Sequence, residues 1–351
     1  MGKKTVNINK LDEERRKNSK TIAIMNNKGG CGKTTTALAL GMYFARTGKN
    51  VLFWDNDPQS NLSQRLGLAD DQHKDRRVNR LFENAGFNED NHLSLIVDFP
   101  YLMRMRGIES SPGNIGLMGG SHYSEIAARA LRDKLETGYG ELGHRDIYRF
   151  FRERVDSFKE YYDVIIIDTA PSLEGNALNI MSIKAANEII YPIDGIEAAL
   201  GVKTILTWME SQIKYLDVKP NGLFAMVKYQ EDTKRIGLEN PEARVRNSVY
   251  RIMKESFGAF VCDTGVKESR QVRFTLPGFG GKTSYTDLCG EIDEKLSQKS
   301  RTSLFEYAAQ NGFFKSMEDK LVYLASKIAA RKPKFKNPNY ITAISQTTLE
   351  Q

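Results

Sequence analysis

The sequence predicts a doubly wound α/β fold, a mostly parallel sheet with helices on both faces. Three observations carry that expectation. An apolar strand, Thr21-Ile22-Ala23-Ile24-Met25, runs into a glycine-rich turn and then an apolar helix. The run Val164-Ile165-Ile166-Ile167, between Asp163 and Asp168, is β-branched and apolar throughout, as a parallel strand buried on both faces requires. Strand and helix patterns then alternate from residue 21 to about residue 292, the order that gives one sheet with right-handed crossovers.

Taken in order, residues 1–20 hold seven Lys or Arg against three acids and show no apolar stripe, so they read as a basic arm. Only about twenty residues precede the first strand, too few for a three-helix DNA-reading module. The helix of residues 34–47 is apolar nearly all round, hence buried, and Gly48 reads as its C-terminal cap. A second strand at residues 51–54 ends on Asp55-Asn56-Asp57-Pro58-Gln59-Ser60-Asn61, where Asp55 reads as a strand-end turn residue. Residues 70–80 are a charged run, and a helical face resumes at Leu81 and Phe82. The 70–120 stretch reads as an irregular insertion, with a short strand at residues 115–118 before Gly119-Gly120. Amphipathic helices are expected at 122–137, 145–160 and 316–330, and further strands at 188–193, 223–227 and 259–262. A helix should open at Ala198-Ala199-Leu200-Gly201. The expected organisation is the basic arm 1–20, one α/β domain 21–330, and a tail 331–351 that begins with Arg331, Lys332, Lys334 and Lys336 among prolines.

Composition bounds the function. A 40% apolar and 27% charged share is ordinary for a globular protein, and no apolar run approaches the length of a membrane span. The N-terminus lacks the apolar core of a secretory signal, and Val6 stands where myristoylation wants Ser or Thr. Three well-separated cysteines, Cys31, Cys262 and Cys289, fit a reducing cytoplasm better than a zinc or iron–sulfur site. A net charge of +7 points to a polyanionic partner.

The chemistry lies in Asn26-Asn27-Lys28-Gly29-Gly30-Cys31-Gly32-Lys33-Thr34-Thr35. Three glycines let backbone amides turn inward, and the loop enters a helix N-terminus, so amides and helix dipole both face an anion. Lys33 is placed for the β- and γ-phosphates and Thr34 for Mg²⁺. A standard phosphate loop has glycine at the position of Asn27, and a second lysine, Lys28, follows it here. Gly280-Gly281-Lys282-Thr283 imitates the motif, but no apolar strand precedes it, so it reads as a basic loop.

Asn-x-Lys-Gly-Gly-x-Gly-Lys-Thr-Thr-Thr followed by Asp-x-Asp-Pro-Gln-x-Asn resembles the ParA-type chromosome and plasmid partitioning ATPases. These belong to the deviant Walker A group of P-loop NTPases, which also holds MinD and the nitrogenase iron protein. The resemblance spans roughly residues 20–295. It implies ATP and Mg²⁺ as ligands, and a nucleotide-sandwich homodimer in which Lys28 reaches the partner's phosphates. Gly29, Gly30, Cys31, Gly32, Lys33, Thr34 and Thr35 would bind nucleotide. Asp57 would orient the attacking water, and Asp168, in Asp168-Thr169-Ala170-Pro171-Ser172, would hold Mg²⁺ through a water. It further implies slow, partner-stimulated hydrolysis, non-specific binding of double-stranded DNA, a ParB-like centromere-binding partner and a nucleoid-associated, cytoplasmic location. DNA contacts carried over by match are Lys234 and Arg235, and Lys267 in Val266-Lys267-Glu268-Ser269, with Arg270 and Arg273 extending the patch. Asp263-Thr264 stands where the family has the Pro-Arg that lines the adenine.

Three other readings compete. A MinD-like ATPase positioning another assembly, on a membrane or the nucleoid, wants a C-terminal amphipathic helix, and residues 341–351 are polar with no basic face. A metal-cluster carrier wants cysteines at spacings this chain lacks. A degenerate, non-enzymatic regulator would not need Lys28, Lys33, Thr34, Asp57 and Asp168 together.

Overall fold

A computed structural model describes residues 16–69, 72–83, 93–98, 113–136, 147–173, 176–212, 220–228, 241–266, 284–298, 303–304, 307 and 313–329. Its centre is a seven-stranded sheet in the order β3-β4-β2-β5-β1-β6-β7. The strands are β1 (Lys20–Ile24), β2 (Val51–Asn56), β3 (Val97–Asp98), β4 (Ile115–Met118), β5 (Val164–Thr169), β6 (Glu188–Ile193) and β7 (Asn221–Met226). All neighbours pair in parallel except β3, a two-residue edge strand antiparallel to β4.

Period-two alternation divides the strand residues between two cores. Ile22, Ile24, Val51, Phe53, Val164 and Ile166 face one side, with α1 (Lys33–Arg46), α2 (Asn61–Leu66) and α9 (Ser284–Ser297). Ala23, Leu52, Trp54, Ile165 and Ile167 face the other. That second core takes residues from α3 (Val78–Glu83), α4 (Ser124–Glu136), α5 (Ile147–Ser157), α6 (Ala177–Ala185), α7 (Ile196–Gln212), α8 (Pro241–Phe257) and α10 (Phe313–Ala329). Here Trp54 meets the edges of Phe151 and Phe158 at 5.3 and 5.7 Å between ring centres. The doubly wound, mostly parallel fold is therefore as the sequence predicts.

Two expectations need correction. Residues 259–262 form no strand: Gly258–Phe260 is a 3-10 turn, and Val261 contributes only a single bridge to Phe224. Its bridge partner lies on β7, the last strand of the sheet, so a short apolar run covers that edge without extending it. Asp55 does not lie in an exposed turn after the strand but one residue before the end of β2, fully buried, although its side chain still accepts from the Asp57 amide at 3.3 Å. The charged run around residues 70–80 hid the start of α3, and β3, α2, α6, α8 and α9 had no counterpart in the sequence reading. The predicted cap Gly48 does adopt a left-handed backbone, φ +89°. No described helix is long and apolar enough to cross a membrane.

Candidate nucleotide site

The site assembles where β1, β2 and β5 end side by side. Ile24 and Asp55 both lie opposite Asp168 in the sheet register, so the phosphate loop after β1 and the acidic turn after β2 flank Asp168. Ligands gather at such carboxyl ends where strand order reverses. The loop needs its glycines: Gly30 and Gly32 have φ of +71° and +97°, a region where a side chain is strained. Gly32 stands at the start of α1, and Thr36 N donates to its carbonyl at 2.8 Å, so the loop passes directly into a helix N-terminus.

Lys33 is only 7% exposed, and its ammonium donates to the carbonyls of Asn26 (3.1 Å) and Lys28 (2.9 Å). It thus sits inside the curve of the loop. Thr34 and Thr35 lie in the first turn of α1, and Arg65 donates to the Thr35 hydroxyl at 2.9 Å. Cys31 is buried, and burial raises its thiol pKa.

Asp55, Asp57 and Asp168 are all buried. Asp55 accepts from the Ser63 amide (2.8 Å) and hydroxyl (2.6 Å), yet burial still pushes it up to about 7. Asp57 accepts from the Gln59 amide at 2.9 Å. Neither oxygen of Asp168 makes a hydrogen bond of ordinary geometry, although the Thr34 side chain faces it closely enough to favour its charged form. Burial, then the charge of Asp55, raises the Asp168 pKa well above the usual carboxylate range. A fully buried, unsatisfied carboxylate is costly unless something compensates it. A divalent cation would do so, and Thr34 with Asp168 is the donor set that suits Mg²⁺, which takes one or two protein oxygens and keeps several waters. Among the described residues no group of three or more His, Cys, Asp or Glu could hold a metal, and Mg²⁺ bound through phosphates does not need one.

Lys28 has a different setting from Lys33. Its ammonium is 3.0 Å from Asp194 and 3.3 Å from Glu197, at the start of α7. Asp194 also pairs with Lys228, 2.8 Å away, and Lys228 donates to the Gly30 carbonyl at 3.0 Å. Burial raises the Asp194 pKa, but Lys28 and Lys228 outweigh it and hold the carboxyl below its ordinary value. Sequence reasoning missed Asp194, Glu197 and Lys228. A signal was present for two of them, because Asp194 and Lys228 follow β6 and β7 just as Asp168 ends β5.

The loop is braced from behind. Asn26 donates to the carbonyls of Pro192 (2.7 Å) and Ala198 (3.0 Å) and accepts from the Lys28 amide (2.8 Å). A Cβ on Gly201 of α7 would come within 2.7 Å of Asn26 Oδ1, so the glycine of the Ala198-Ala199-Leu200-Gly201 run permits this approach. The amides of Asp263 and Thr264, at the altered adenine position, both donate to Glu291 at 2.7 Å. Lys234, Arg235, Lys267, Arg270 and Arg273, the basic loop at 280–283 and residues 331–351 lie outside the described residues.

Comparison with known proteins agrees with this geometry. The family described as an AAA domain matches residues 19–219. The chromosome-partitioning ATPase Soj of Treponema pallidum is 32% identical over 187 residues, which are 53% of this chain and 62% of that protein. The chromosome partitioning protein ParA of Caulobacter vibrioides is 30% identical over 176 residues, 50% of this chain and 55% of that protein. The chain thus spans less than two thirds of these relatives. In fold it is similar to a variant of Cyanothece McdA solved in complex with ATP, at TM-score 0.60 and 20% identity over 82% of this chain and 99% of that one. With a positive-φ glycine loop, an inward lysine and a buried acid on β5 inside the matched segment, the chain belongs to the AAA domain family, and that segment is similar to the partitioning proteins Soj and ParA.

Proposed function

We propose that this protein is an ATP-hydrolysing switch for DNA segregation, forming an ATP-sandwich dimer that binds DNA without sequence preference. A centromere-bound, ParB-like partner would release it by stimulating slow hydrolysis on the nucleoid. The observation that supports this reading most is the pair of lysines on one loop. Lys33 lies buried within the curve, whereas Lys28 is 23% exposed and pairs with Asp194 and Glu197 outside it.

In this reading the loop amides from Gly29 to Thr35 and the Lys33 ammonium hold the β- and γ-phosphates. Thr34 and Asp168, the latter through a water, would hold Mg²⁺, which supplies neutralising charge to the phosphate oxygens. Asp57 orients the attacking water in line with the γ-phosphate. Lys28 of a second copy offsets the charge on the transferred phosphoryl, a role that contributes about 10³–10⁵ in rate where an arginine plays it. Lys234, Arg235, Lys267 and Arg270 supply phosphate-directed DNA contacts, which position without reading bases. The domain is taken as residues 21–330, with Ser19 and Lys20 joining it at the start of β1 and with the rest of the arm and the tail 331–351 outside it.

A gel shift on random-sequence DNA with ATP, ADP or no nucleotide tests the reading. Retardation with ATP alone is expected. Equal binding in all three states, or none in any, overturns it.

A further inference from the structure

We propose that Lys228 is a positioning residue that lets Lys28 leave its resting place, by keeping Asp194 neutralised and the Gly30 turn fixed while Lys28 is away. The inference rests on the reading above, in which Lys28 acts on a second copy's nucleotide.

Within one chain, Lys28 is held by Asp194 and Glu197. To reach another molecule it must break both contacts and leave behind two carboxylates, one of them only 7% exposed. Stranding a buried charge is strongly unfavourable. Lys228 answers this because it takes the other oxygen of the same carboxylate: Lys28 binds Asp194 Oδ1 and Lys228 binds Oδ2. The two lysines therefore do not compete for one atom, and Asp194 keeps a partner when Lys28 departs. Lys228 also donates to the Gly30 carbonyl, two residues along the same loop from Lys28. Its own backbone is in the left-handed region, φ +56°, where a non-glycine residue is uncommon, and Arg246 donates to its carbonyl at 3.1 Å. Such conformations persist where the surroundings over-determine them.

The arrangement predicts opposite signs for two substitutions. Asp194→Asn weakens the hold on Lys28 and should tighten the dimer formed with a slowly hydrolysed ATP analogue, by about threefold or more. Lys228→Met leaves Asp194 with Lys28 alone, so Lys28 is held harder. The dimer should weaken by about tenfold, a change of ~1.4 kcal/mol. Lys228→Arg should restore it. Lys228→Met with Asp194→Asn should dimerise at least as well as the parent, which a merely structural role for Lys228 does not predict. Analytical ultracentrifugation of the full chain reads all four constants, with melting temperatures alongside. Should Lys228→Met fail to fold, Asp194→Asn decides alone: a weaker or unchanged dimer overturns the inference. It is equally overturned if Lys228→Met leaves the constant unchanged, or if the double variant is as weak as Lys228→Met. Lys28→Ala separates the two proposals, since a Lys28→Ala dimer of parental strength refutes the underlying reading whatever the other variants do.

Discussion

The Asn27 side-chain oxygen accepts a hydrogen bond from the Leu173 amide at 2.7 Å. This joins the phosphate loop to the segment that follows Asp168, and it accounts for asparagine at a position where a standard phosphate loop has glycine. A glycine there has no side chain to make the bond. Gly29 is close to the same segment, a Cβ on it lying 3.9 Å from Pro171. The glycine-rich loop and the segment after Asp168 are therefore tied together by a side-chain hydrogen bond. Asn27→Gly should keep ATP binding but loosen the Asp168 segment, at a stability cost of about 1 kcal/mol for the lost hydrogen bond. Hydrogen exchange at Leu173 with and without nucleotide checks it, and unchanged protection would refute the link.

The two lysines of the loop should separate in their effects. Lys33→Ala removes the ammonium within the loop and should weaken nucleotide binding itself. Lys28→Ala should leave binding near parental strength and abolish the ATP-dependent dimer. Fluorescent-nucleotide titration and sedimentation measure the two quantities independently.

Asp57→Ala removes the carboxylate proposed to orient water while leaving Lys33, Thr34 and Asp168 in place. The expected product is an ATP-bound dimer that holds DNA and turns over at least about tenfold more slowly, within the range general-base groups contribute. Hydrolysis at the parental rate would show that Asp57 has been misassigned.

Gly201 should resist substitution. Even alanine there would set its Cβ 2.7 Å from Asn26 Oδ1 and 3.2 Å from the Lys28 amide nitrogen, forcing the loop off α7. Overpacking of this kind costs about 1–3 kcal/mol, so Gly201→Ala should lower both the unfolding midpoint in urea and ATP affinity. A stable variant with full affinity would mean the loop moves freely.

The Asp194 cluster sets a pH dependence. Lys28 and Lys228 hold the Asp194 carboxyl below its ordinary value of 3.8, with Glu197 also facing Lys28. A depressed folded value means stability present above the unfolded pKa and lost as pH falls through the folded one. Denaturation midpoints should therefore drop below pH 3.8 in the parent by more than in Asp194→Asn. Parallel curves for the two proteins would remove Asp194 from the balance.

For DNA, Lys267→Glu with Arg270→Glu should abolish binding and flatten its salt dependence while dimerisation survives, because phosphate contacts act through counterion release. A deletion of residues 331–351 tests the rival tail. If that alone abolishes binding and the double reversal does nothing, the patch assignment fails.

Local sequence was enough for the parallel strands of the sheet and for the glycine-rich turn that enters α1. A β-branched run such as 164–167 is stable only when covered on both faces, and a Gly-x-Gly-Lys-Thr turn before a helix presents amides whatever surrounds it. Asp55 shows where that stops, since nothing local distinguishes a turn carboxylate from one sealed beneath Ser63 and pushed up to about 7. The edge strand β3 was equally hidden, because two residues carry no periodicity and only β4 defines their pairing. The resting place of Lys28 came from the tertiary fold. Its partners lie 166 and 169 residues along the chain, and Lys228 lies a full 200 away. The charges that meet there are set by the order in which β1, β6 and β7 lie in the sheet, which no stretch of sequence around Lys28 encodes.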